Sequence, residues 1–159
     1  MSLLKEITQS LQALDCDFAH QERSLPELIQ QYLLCIEKWN RIHNLTAIRN
    51  PQDMLYQHVM DSLAVLPHIS GPQIVDVGSG AGLPGIPIAL ARPDWQVTVV
   101  ESNQKKASFL QQVKIELALQ NVEVMAKRSE DIRPDERVDT IITRAFSDLG
   151  EFIQLTQQL

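Results

Sequence analysis

The sequence is poor in cysteine and in aromatic residues, and it contains no long apolar run. It has two cysteines, Cys16 and Cys35, and aromatic residues make up 5% of its 159 residues. Two isolated cysteines form neither a disulfide framework nor a metal site, so we expect both to be reduced thiols. The absence of about 18 consecutive apolar residues excludes a membrane-spanning helix, and the N-terminus lacks a signal-peptide pattern. We therefore expect a cytoplasmic protein, with no metal and no membrane partner.

Positive charge is also scarce. The chain has 14 Lys and Arg against 20 Asp and Glu, a formal net charge of −6. This balance argues against broad, nonspecific binding of nucleic acid. It leaves room for an RNA partner, because basic residues gather locally at Arg41, His43 and Arg49, at Lys105–Lys106 and at Lys127–Arg128.

Residues 1–70 are predicted to form an N-terminal helical extension. Ser24-Leu25-Pro26-Glu27 matches a capping box, with Ser24 as the cap, and apolar residues follow at helical spacing as far as Trp39. A second helix is predicted to start at Asn50-Pro51 and to continue to Leu66.

Residues 71–159 are predicted to form a Rossmann-like core, because strands and helices alternate there. The predicted strands are Gln73–Val77, Gln96–Val100, Val122–Met125 and Val138–Thr143, and the predicted helices are Pro84–Ala91, Asn103–Leu119 and a segment from Asp148 onward. Sheets of this type usually continue for several more strands. The expected fold class is therefore α/β, a Rossmann-like fold with an N-terminal helical extension, truncated after the fourth parallel strand.

The richest stretch is the glycine run that follows the first strand. Gly80-x-Gly82-x-x-Gly85 satisfies the dinucleotide fingerprint, but it starts two residues after the strand ends at Val77. Asp76-x-Gly78-x-Gly80-x-Gly82 is in phase with the strand and is typical of S-adenosylmethionine (SAM) sites. The phase favours SAM over NAD, with the Asp76 carboxylate holding the ammonium of the ligand directly or through water. The expected Rossmann-like fold is therefore that of a class I SAM-dependent methyltransferase.

Two further strand ends supply candidate cofactor contacts. Glu101 follows the second strand, where a carboxylate can bind two ribose hydroxyls of either SAM or NAD. Ser129-Glu130 follows the third strand, where an adenine edge can be recognised. The fourth strand ends in Thr143-Arg144-Ala145-Phe146, in which Arg144 can clamp a phosphate or carboxylate and Phe146 can stack on a base.

The possible acceptors of a methyl group differ in the catalytic groups that they need. Cytosine C5 methylation needs a nucleophilic cysteine near the strand ends, and neither cysteine lies there. Methylation of exocyclic amines commonly uses an Asn/Asp-Pro-Pro-aromatic turn, and the sequence has none. Guanine N7 has a free lone pair, so an N7 acceptor needs no general base, only positioning by residues such as Arg144 and Phe146.

Four stretches together resemble the RsmG family (glucose-inhibited division protein B) of bacterial 16S rRNA guanine-N7 methyltransferases. They are Lys38-Trp39-Asn40 with Asn44-Leu45-Thr46, His58-x-x-Asp61-Ser62, the run from Asp76 to Pro87, and Arg144-Ala145-Phe146. They span essentially the whole chain, and Gly-Leu-Pro-Gly-Ile-Pro after the glycine loop is highly specific.

The resemblance implies SAM-dependent methylation of N7 of guanosine 527, in rRNA numbering, in 16S rRNA of the small ribosomal subunit. It implies a set of cofactor contacts at Gly78, Leu83, Ser129, Glu130 and Arg144. Arg128 and Arg144 would be the basic residues nearest the RNA. The face between the N-terminal helices and the cofactor pocket would be lined by Asn40, Arg41, Asn44 and His58. We expect a monomer.

Three other functions remain open from the sequence. The acidic net charge is compatible with a small-molecule SAM-dependent methyltransferase. A noncatalytic rRNA-binding or ribosome-assembly module would retain the fold without the chemistry. An NAD-dependent enzyme would use the same glycine loop with a different cofactor.

Overall fold

A computed structural model of the chain describes residues 2–14, 16, 18–19, 21–133, 137–144 and 148–159. The N-terminal part is helical, as predicted. It comprises α1 (Leu3–Ala13), α2 (Leu25–His43), α3 (Pro51–Met54), α4 (Asp61–Leu63) and a short 3-10 turn (Leu66–His68).

The helix predicted from Asn50 to Leu66 is interrupted. Asn50 caps α3 as expected, because its side chain accepts from the backbone N–H groups of Gln52 and Asp53. A six-residue π-helical segment, Leu55–Met60, then separates α3 from α4. Hydrophobic spacing does not reveal such a widened turn, although π-turns are frequent at functional sites.

The capping box predicted at Ser24 is wrong in its hydrogen bonding. Ser24 occupies the N-cap position of α2, but its side chain makes no capping hydrogen bond; its backbone carbonyl accepts from Leu28 N–H. Pro26 lies in the first turn as predicted.

The C-terminal part alternates strands and helices. Its elements are β1 (Gln73–Val77), α5 (Gly85–Ala91), β2 (Gln96–Val100), α6 (Gln104–Glu116), β3 (Val122–Met125), β4 (Thr140–Ile142) and α7 (Leu149–Thr156). A 3-10 turn, Ser129–Asp131, lies between β3 and β4. All pairings are parallel and the strand order is β3-β2-β1-β4, which confirms the predicted α/β class with parallel strands.

Two predicted boundaries need correction. The fourth strand covers Thr140–Ile142 rather than Val138–Thr143. Just after it, the Thr143 hydroxyl donates to the Val77 carbonyl of β1 at 2.8 Å. The helix predicted from Asn103 to Leu119 ends at Glu116, and Ala118 with φ +52° then turns the chain.

The N-terminal helices pack against the same side of the sheet as α5 and α6. One continuous apolar cluster includes Ile29 of α2, Leu55 of the π-helical segment, Ile74 of β1 and Phe109 of α6. A smaller cluster on the opposite face joins Val75, Val77, Val100 and Ile132, with Phe152 of α7 packed against it. The division into units at residue 70 stays a prediction. No described helix combines the length and apolarity that crossing a membrane requires.

Candidate active site

The chemistry-bearing residues lie at the carboxyl ends of the strands. The loop of residues 78–84 follows β1, Glu101 follows β2, the Ser129–Asp131 turn follows β3 and Arg144 follows β4. Because the strands are parallel and adjacent, these ends share one edge of the sheet, the usual place for ligands in such folds.

The glycines of this loop have two different environments. Gly78, Gly80 and Gly82 all have positive φ, at +71°, +59° and +94°, which favours glycine strongly. A Cβ added at Gly78 or Gly80 would meet no atom within 4 Å. A Cβ at Gly82 would lie 2.5 Å from Ile86 Cγ1, and one at Gly85 would lie 2.7 Å from Asp76 Oδ2. Gly78 and Gly80 therefore leave the backbone open to a ligand, whereas Gly82 and Gly85 allow close packing.

Asp76 is fully buried and organises the loop from inside. Its Oδ2 accepts hydrogen bonds from Ser79 Oγ at 2.6 Å and from the Gly85 N–H at 2.8 Å, and its Oδ1 has no partner. Burial raises the pKa of this carboxyl to about 7, against the lowering effect of its two hydrogen bonds. Sequence reasoning assigned Asp76 to the ligand and missed this internal role. Ligand contact through Oδ1 stays a prediction.

Glu101 also holds the loop. Its Oε2 accepts from the Gly80 N–H at 2.8 Å, and its Oε1 accepts from the Asn103 N–H at 2.9 Å, just before α6. Each carboxylate oxygen can accept more than one hydrogen bond. The predicted ribose contact is therefore compatible with these bonds and stays a prediction.

A cleft of about 220 Å³ opens beside the loop. The structure brings Gly78 together there with Arg128, Ser129 and Glu130, three residues predicted from sequence to lie near the cofactor or the RNA. The Ser129 hydroxyl donates to Glu130 Oε2 at 2.9 Å. Leu83 is buried and lies in the main apolar cluster, so its predicted cofactor contact stays a prediction.

Arg144 connects the end of β4 to the N-terminal helices. Its Nη2 donates to the Gln57 carbonyl at 2.8 Å and lies 3.4 Å from Asp61 Oδ2. Its Nη1 is buried and unpartnered. Phe146, the other residue predicted to fix a base, lies outside the described residues.

His58 lies near Arg144. His58 Nε2 is 2.9 Å from the Thr46 hydroxyl, and Nδ1 has no hydrogen-bond partner of normal geometry. Burial and, second, the Arg144 guanidinium lower the pKa of His58. The same guanidinium contributes a lowering effect on the pKa of Asp76. In the described part of the chain, the buried side-chain N and O atoms without a partner are His58 Nδ1, Asp76 Oδ1 and Arg144 Nη1.

The other predicted RNA-facing residues differ in exposure. Asn40 is buried, and its side chain donates to the Ile48 carbonyl and accepts from the Thr46 N–H. It therefore shapes the segment after α2. Arg41 and Asn44 are exposed, but Arg41 pairs with Glu37 at 2.9 Å and Asn44 accepts from Arg49 at 2.9 Å.

Sequence reasoning missed Tyr32 as a residue of the site. It lies fully buried in α2, and its hydroxyl donates to the Ala81 carbonyl of the glycine loop at 2.7 Å. The available signal was a polar hydroxyl on an otherwise apolar helix face, because a buried tyrosine hydroxyl usually requires a partner.

The site has the chemistry of a ligand cradle rather than of a metal centre or a nucleophile. Among the described residues, no group of three His, Cys, Asp or Glu side chains is arranged to hold a metal ion. Cys16 donates to the Leu63 carbonyl, and Cys35 donates to the Glu116 carboxylate at 3.0 Å. Burial raises the pKa of the Cys35 thiol to about 12, so it stays protonated.

The amino-acid sequence is similar to those of known proteins. The model of the GidB family, described as rRNA small subunit methyltransferase G, matches residues 26–159. The chain is 57% identical over 162 aligned residues to the ribosomal RNA small subunit methyltransferase G of Nitrosomonas eutropha, covering 100% of this chain and 74% of that relative. It is 64% identical over 129 residues to the protein of the same name from Nitrosospira multiformis, covering 81% of this chain and 60% of the relative.

Solved structures show the fold at much lower identity. A SAM-dependent methyltransferase from Thiobacillus denitrificans, bound to S-adenosyl-L-homocysteine, matches with a TM-score of 0.51 and 21% identity, over 78% of this chain and 48% of that one. A mutant of MtNAS in complex with S-adenosylmethionine matches with a TM-score of 0.53 and 18% identity, over 97% of this chain and 67% of that one. These likenesses confirm the Rossmann-like methyltransferase fold. By the extent and identity of its sequence matches, this chain belongs to the GidB family, rRNA small subunit methyltransferase G.

Proposed function

We propose that this chain binds SAM at the edge formed by β1, β2 and β3 and methylates N7 of guanosine 527, in rRNA numbering, in 16S rRNA. Membership of an rRNA methyltransferase family supports the reaction class. The main observation in support of cofactor binding is the open backbone at Gly78 and Gly80, which lets a ligand approach the loop closely.

The polar groups around the loop fit the two ends of SAM. The amino-acid end carries an ammonium and a carboxylate, and the site has a carboxylate oxygen, Asp76 Oδ1, and a guanidinium nitrogen, Arg144 Nη1, that are buried without partners. We assign Glu101, at the end of β2, to the ribose hydroxyls. We assign Ser129 and Glu130, which line the cleft beside Gly78, to the adenine. The residues therefore fit the cofactor.

The chain's residues act by positioning. SAM, when bound, supplies a methyl group on a positively charged sulfur. The lone pair of guanine N7 needs no base to accept it, so the protein must mainly align the acceptor, which can contribute roughly 7–11 kcal/mol. We assign Arg144 and Phe146 to holding the base, since both follow β4.

The RNA-facing side of the site is proposed to include the exposed residues Arg41, Asn44 and Arg128. Arg128 lies on the rim of the cleft beside Gly78, where it can neutralise a phosphate. The proposed partner is 16S rRNA in the small ribosomal subunit, and an enzyme of ribosomal RNA would act in the cytoplasm. We propose a monomer.

Two measurements test this function. Isothermal titration of the chain with SAM and with NADH should show binding of SAM only. Incubation with small subunits from cells that lack the gene, with methyl-labelled SAM, should then introduce one N7-methylguanosine at position 527. Binding of NADH rather than SAM would overturn the cofactor assignment.

The remaining alternatives appear as distinct outcomes of the same pair of measurements. A chain that binds neither nucleotide is a noncatalytic module. SAM binding without transfer of the labelled methyl group to the small subunits would instead indicate a small-molecule methyltransferase.

A further inference from the structure

We propose that Tyr32 is a positioning residue for the cofactor, through which α2 sets the conformation of the glycine loop. This role rests on the proposed binding of SAM, and it makes the N-terminal helices part of the cofactor site. Tyr32 does not touch the cofactor in this proposal. It acts through the backbone carbonyl of Ala81.

The contact is direct and shielded from water. Tyr32 has 0% of its surface exposed and Ala81 has 5%, and the hydroxyl-to-carbonyl distance is 2.7 Å. Ala81 lies between Gly80 and Gly82, which both have positive φ. The hydrogen bond therefore joins α2 to the middle of the left-handed segment of the loop.

The other hydrogen bonds of the loop come from the sheet and its strand ends, from the loop itself, or from α5, whose Ile86 and Ile88 N–H groups donate to the carbonyls of Gly82 and Pro84. The Gly78 and Ser79 N–H groups donate to the Val100 carbonyl, and the Gly80 N–H donates to Glu101. Among the described residues, Tyr32 supplies the only hydrogen bond from residues 2–70 to residues 78–84. Loss of its hydroxyl would remove this hydrogen bond between α2 and the loop and leave the loop's hydrogen bonds to the sheet in place.

The surroundings of Tyr32 keep it a permanent donor. Burial raises its pKa well above the ordinary value, with a further raising effect from Asp76 and a lowering effect from Arg144. The phenol is therefore neutral throughout the physiological range. The Ala81 carbonyl has the lasting partner that a buried backbone acceptor requires.

The test is the Tyr32→Phe variant, with Tyr56→Phe as a matched control. Tyr56 is 49% exposed, and its hydroxyl donates to Glu6 at 3.1 Å. The control therefore also removes a tyrosine hydroxyl, but one that does not bond the glycine loop. We expect Tyr32→Phe to raise the Kd for SAM by about three- to tenfold, as loss of one buried hydrogen bond implies. KM for SAM should rise in parallel while kcat at saturating SAM stays unchanged. Tyr56→Phe should leave Kd and KM at the wild-type values.

A purely structural role predicts a different result. In that case Tyr32→Phe would lower the melting temperature of the unliganded protein while the Kd for SAM stayed at the wild-type value, which would overturn the proposal. Failure of the wild-type chain to bind SAM would instead overturn the proposed function, and this role with it.

A measurement on the wild-type chain covers the case in which Tyr32→Phe does not fold. SAM binding should slow amide hydrogen exchange in α2 around Tyr32, because the two elements share a hydrogen bond, and it should leave the exchange of α1 unchanged. Equal exchange in α2 with and without SAM would contradict the coupling.

Discussion

At the scale of single residues, the glycine loop is held by side chains that reach it from three elements. Asp76 of β1 binds the Ser79 hydroxyl and the Gly85 N–H, Glu101 after β2 binds the Gly80 N–H, and Tyr32 of α2 binds the Ala81 carbonyl. These contacts keep left-handed backbone in place while Gly78 and Gly80 face open space. The loop is thus preorganised for a ligand before one arrives.

The two kinds of glycine are expected to respond differently to alanine. Gly78→Ala adds a methyl group into open space at φ +71°, which costs about 1–2 kcal/mol of stability and crowds the ligand's approach. Gly85→Ala forces a Cβ to within 2.7 Å of Asp76 Oδ2 and Val99 Cγ1, and such overpacking costs about 1–3 kcal/mol or more. In urea unfolding Gly85→Ala should be the less stable variant. In SAM titration, Gly78→Ala should lose more affinity than Gly85→Ala for a given loss of stability. The reverse order would refute the assignment of Gly78 to ligand approach and of Gly85 to packing.

The buried carboxyl of Asp76 should make stability depend on pH. Its folded-state pKa of about 7 exceeds the value of about 3.9 expected in the unfolded chain, so between these values the folded state holds a proton that the unfolded state has lost. The retained proton stabilises the folded state by about 4 kcal/mol below about pH 4. This stabilisation is lost as pH rises to about 7.

The measurement compares wild type with Asp76→Asn, which cannot titrate. Unfolding free energies of both proteins at several pH values, subtracted from each other, cancel the effects of all other groups. As pH rises from 4 to 7, the unfolding free energy of wild type should fall relative to that of Asp76→Asn. A flat difference would mean that Asp76 ionises in the folded state as it does in the unfolded chain.

At the scale of elements, the helix starts show which local patterns carry over into hydrogen bonds. Asn50 and Asn103 both accept from the backbone N–H groups two and three residues later, at the starts of α3 and α6. Ser24 lies at the N-cap position of α2, but its side chain makes no capping hydrogen bond. The residue type alone therefore does not determine whether a cap forms.

Alanine substitutions at two of these starts give a matched comparison. Asn103→Ala removes two hydrogen bonds to Lys105 and Lys106 N–H groups and should lower the free energy of unfolding by about 1 kcal/mol. Ser24→Ala removes none and should stay within about 0.5 kcal/mol of wild type, as most surface changes do. Equal losses in chemical denaturation of the two variants would show that Ser24 also caps its helix.

Element type and order were predictable, but several details were not. The alternation of strands and helices after residue 71, and the parallel sheet, follow from hydrophobic spacing. The π-helical segment Leu55–Met60 was missed, because the apolar residues from Met54 to Leu66 are also compatible with one continuous helix. At the end of β4, Thr143 bonds the Val77 carbonyl through its hydroxyl, and hydropathy does not distinguish such a side-chain bond from a backbone bond.

At the scale of the whole molecule, the N-terminal helices and the sheet share one apolar cluster. Ile29 and Leu55 from the helical part are buried in it together with Ile74 and Phe109. Trp39 of α2 packs edge-on against Phe109 of α6, with ring centroids 5.6 Å apart. Separation of the two parts would expose this cluster to water, which costs free energy in proportion to the apolar area.

The shared cluster predicts one cooperative unfolding transition. The chain has two tryptophans, Trp39 in α2 and Trp95 just before β2. Trp95→Phe therefore leaves a fluorescent reporter in the N-terminal helices, and Trp39→Phe leaves one in the part that contains the sheet. In each variant, the urea midpoint from fluorescence should coincide with the midpoint from far-UV circular dichroism, as two-state behaviour requires. An earlier midpoint for Trp39 fluorescence would show that residues 1–70 unfold as a separate unit.

The sequence by itself determined the features that depend on neighbours along the chain: the helical extension, the alternating core, and the phase of the glycine loop relative to Asp76. It also determined that Glu101, Ser129 and Arg144 follow strands. These residues therefore share one edge of the sheet, because parallel strands bring their carboxyl ends together. Tertiary structure alone decided the partners of these side chains. Tyr32 reaches Ala81 across 49 positions of sequence, and Arg144 reaches Gln57 across 87. Local spacing sets which face a residue occupies, but the packing of α2 and of the π-helical segment against the sheet sets which polar atom it meets.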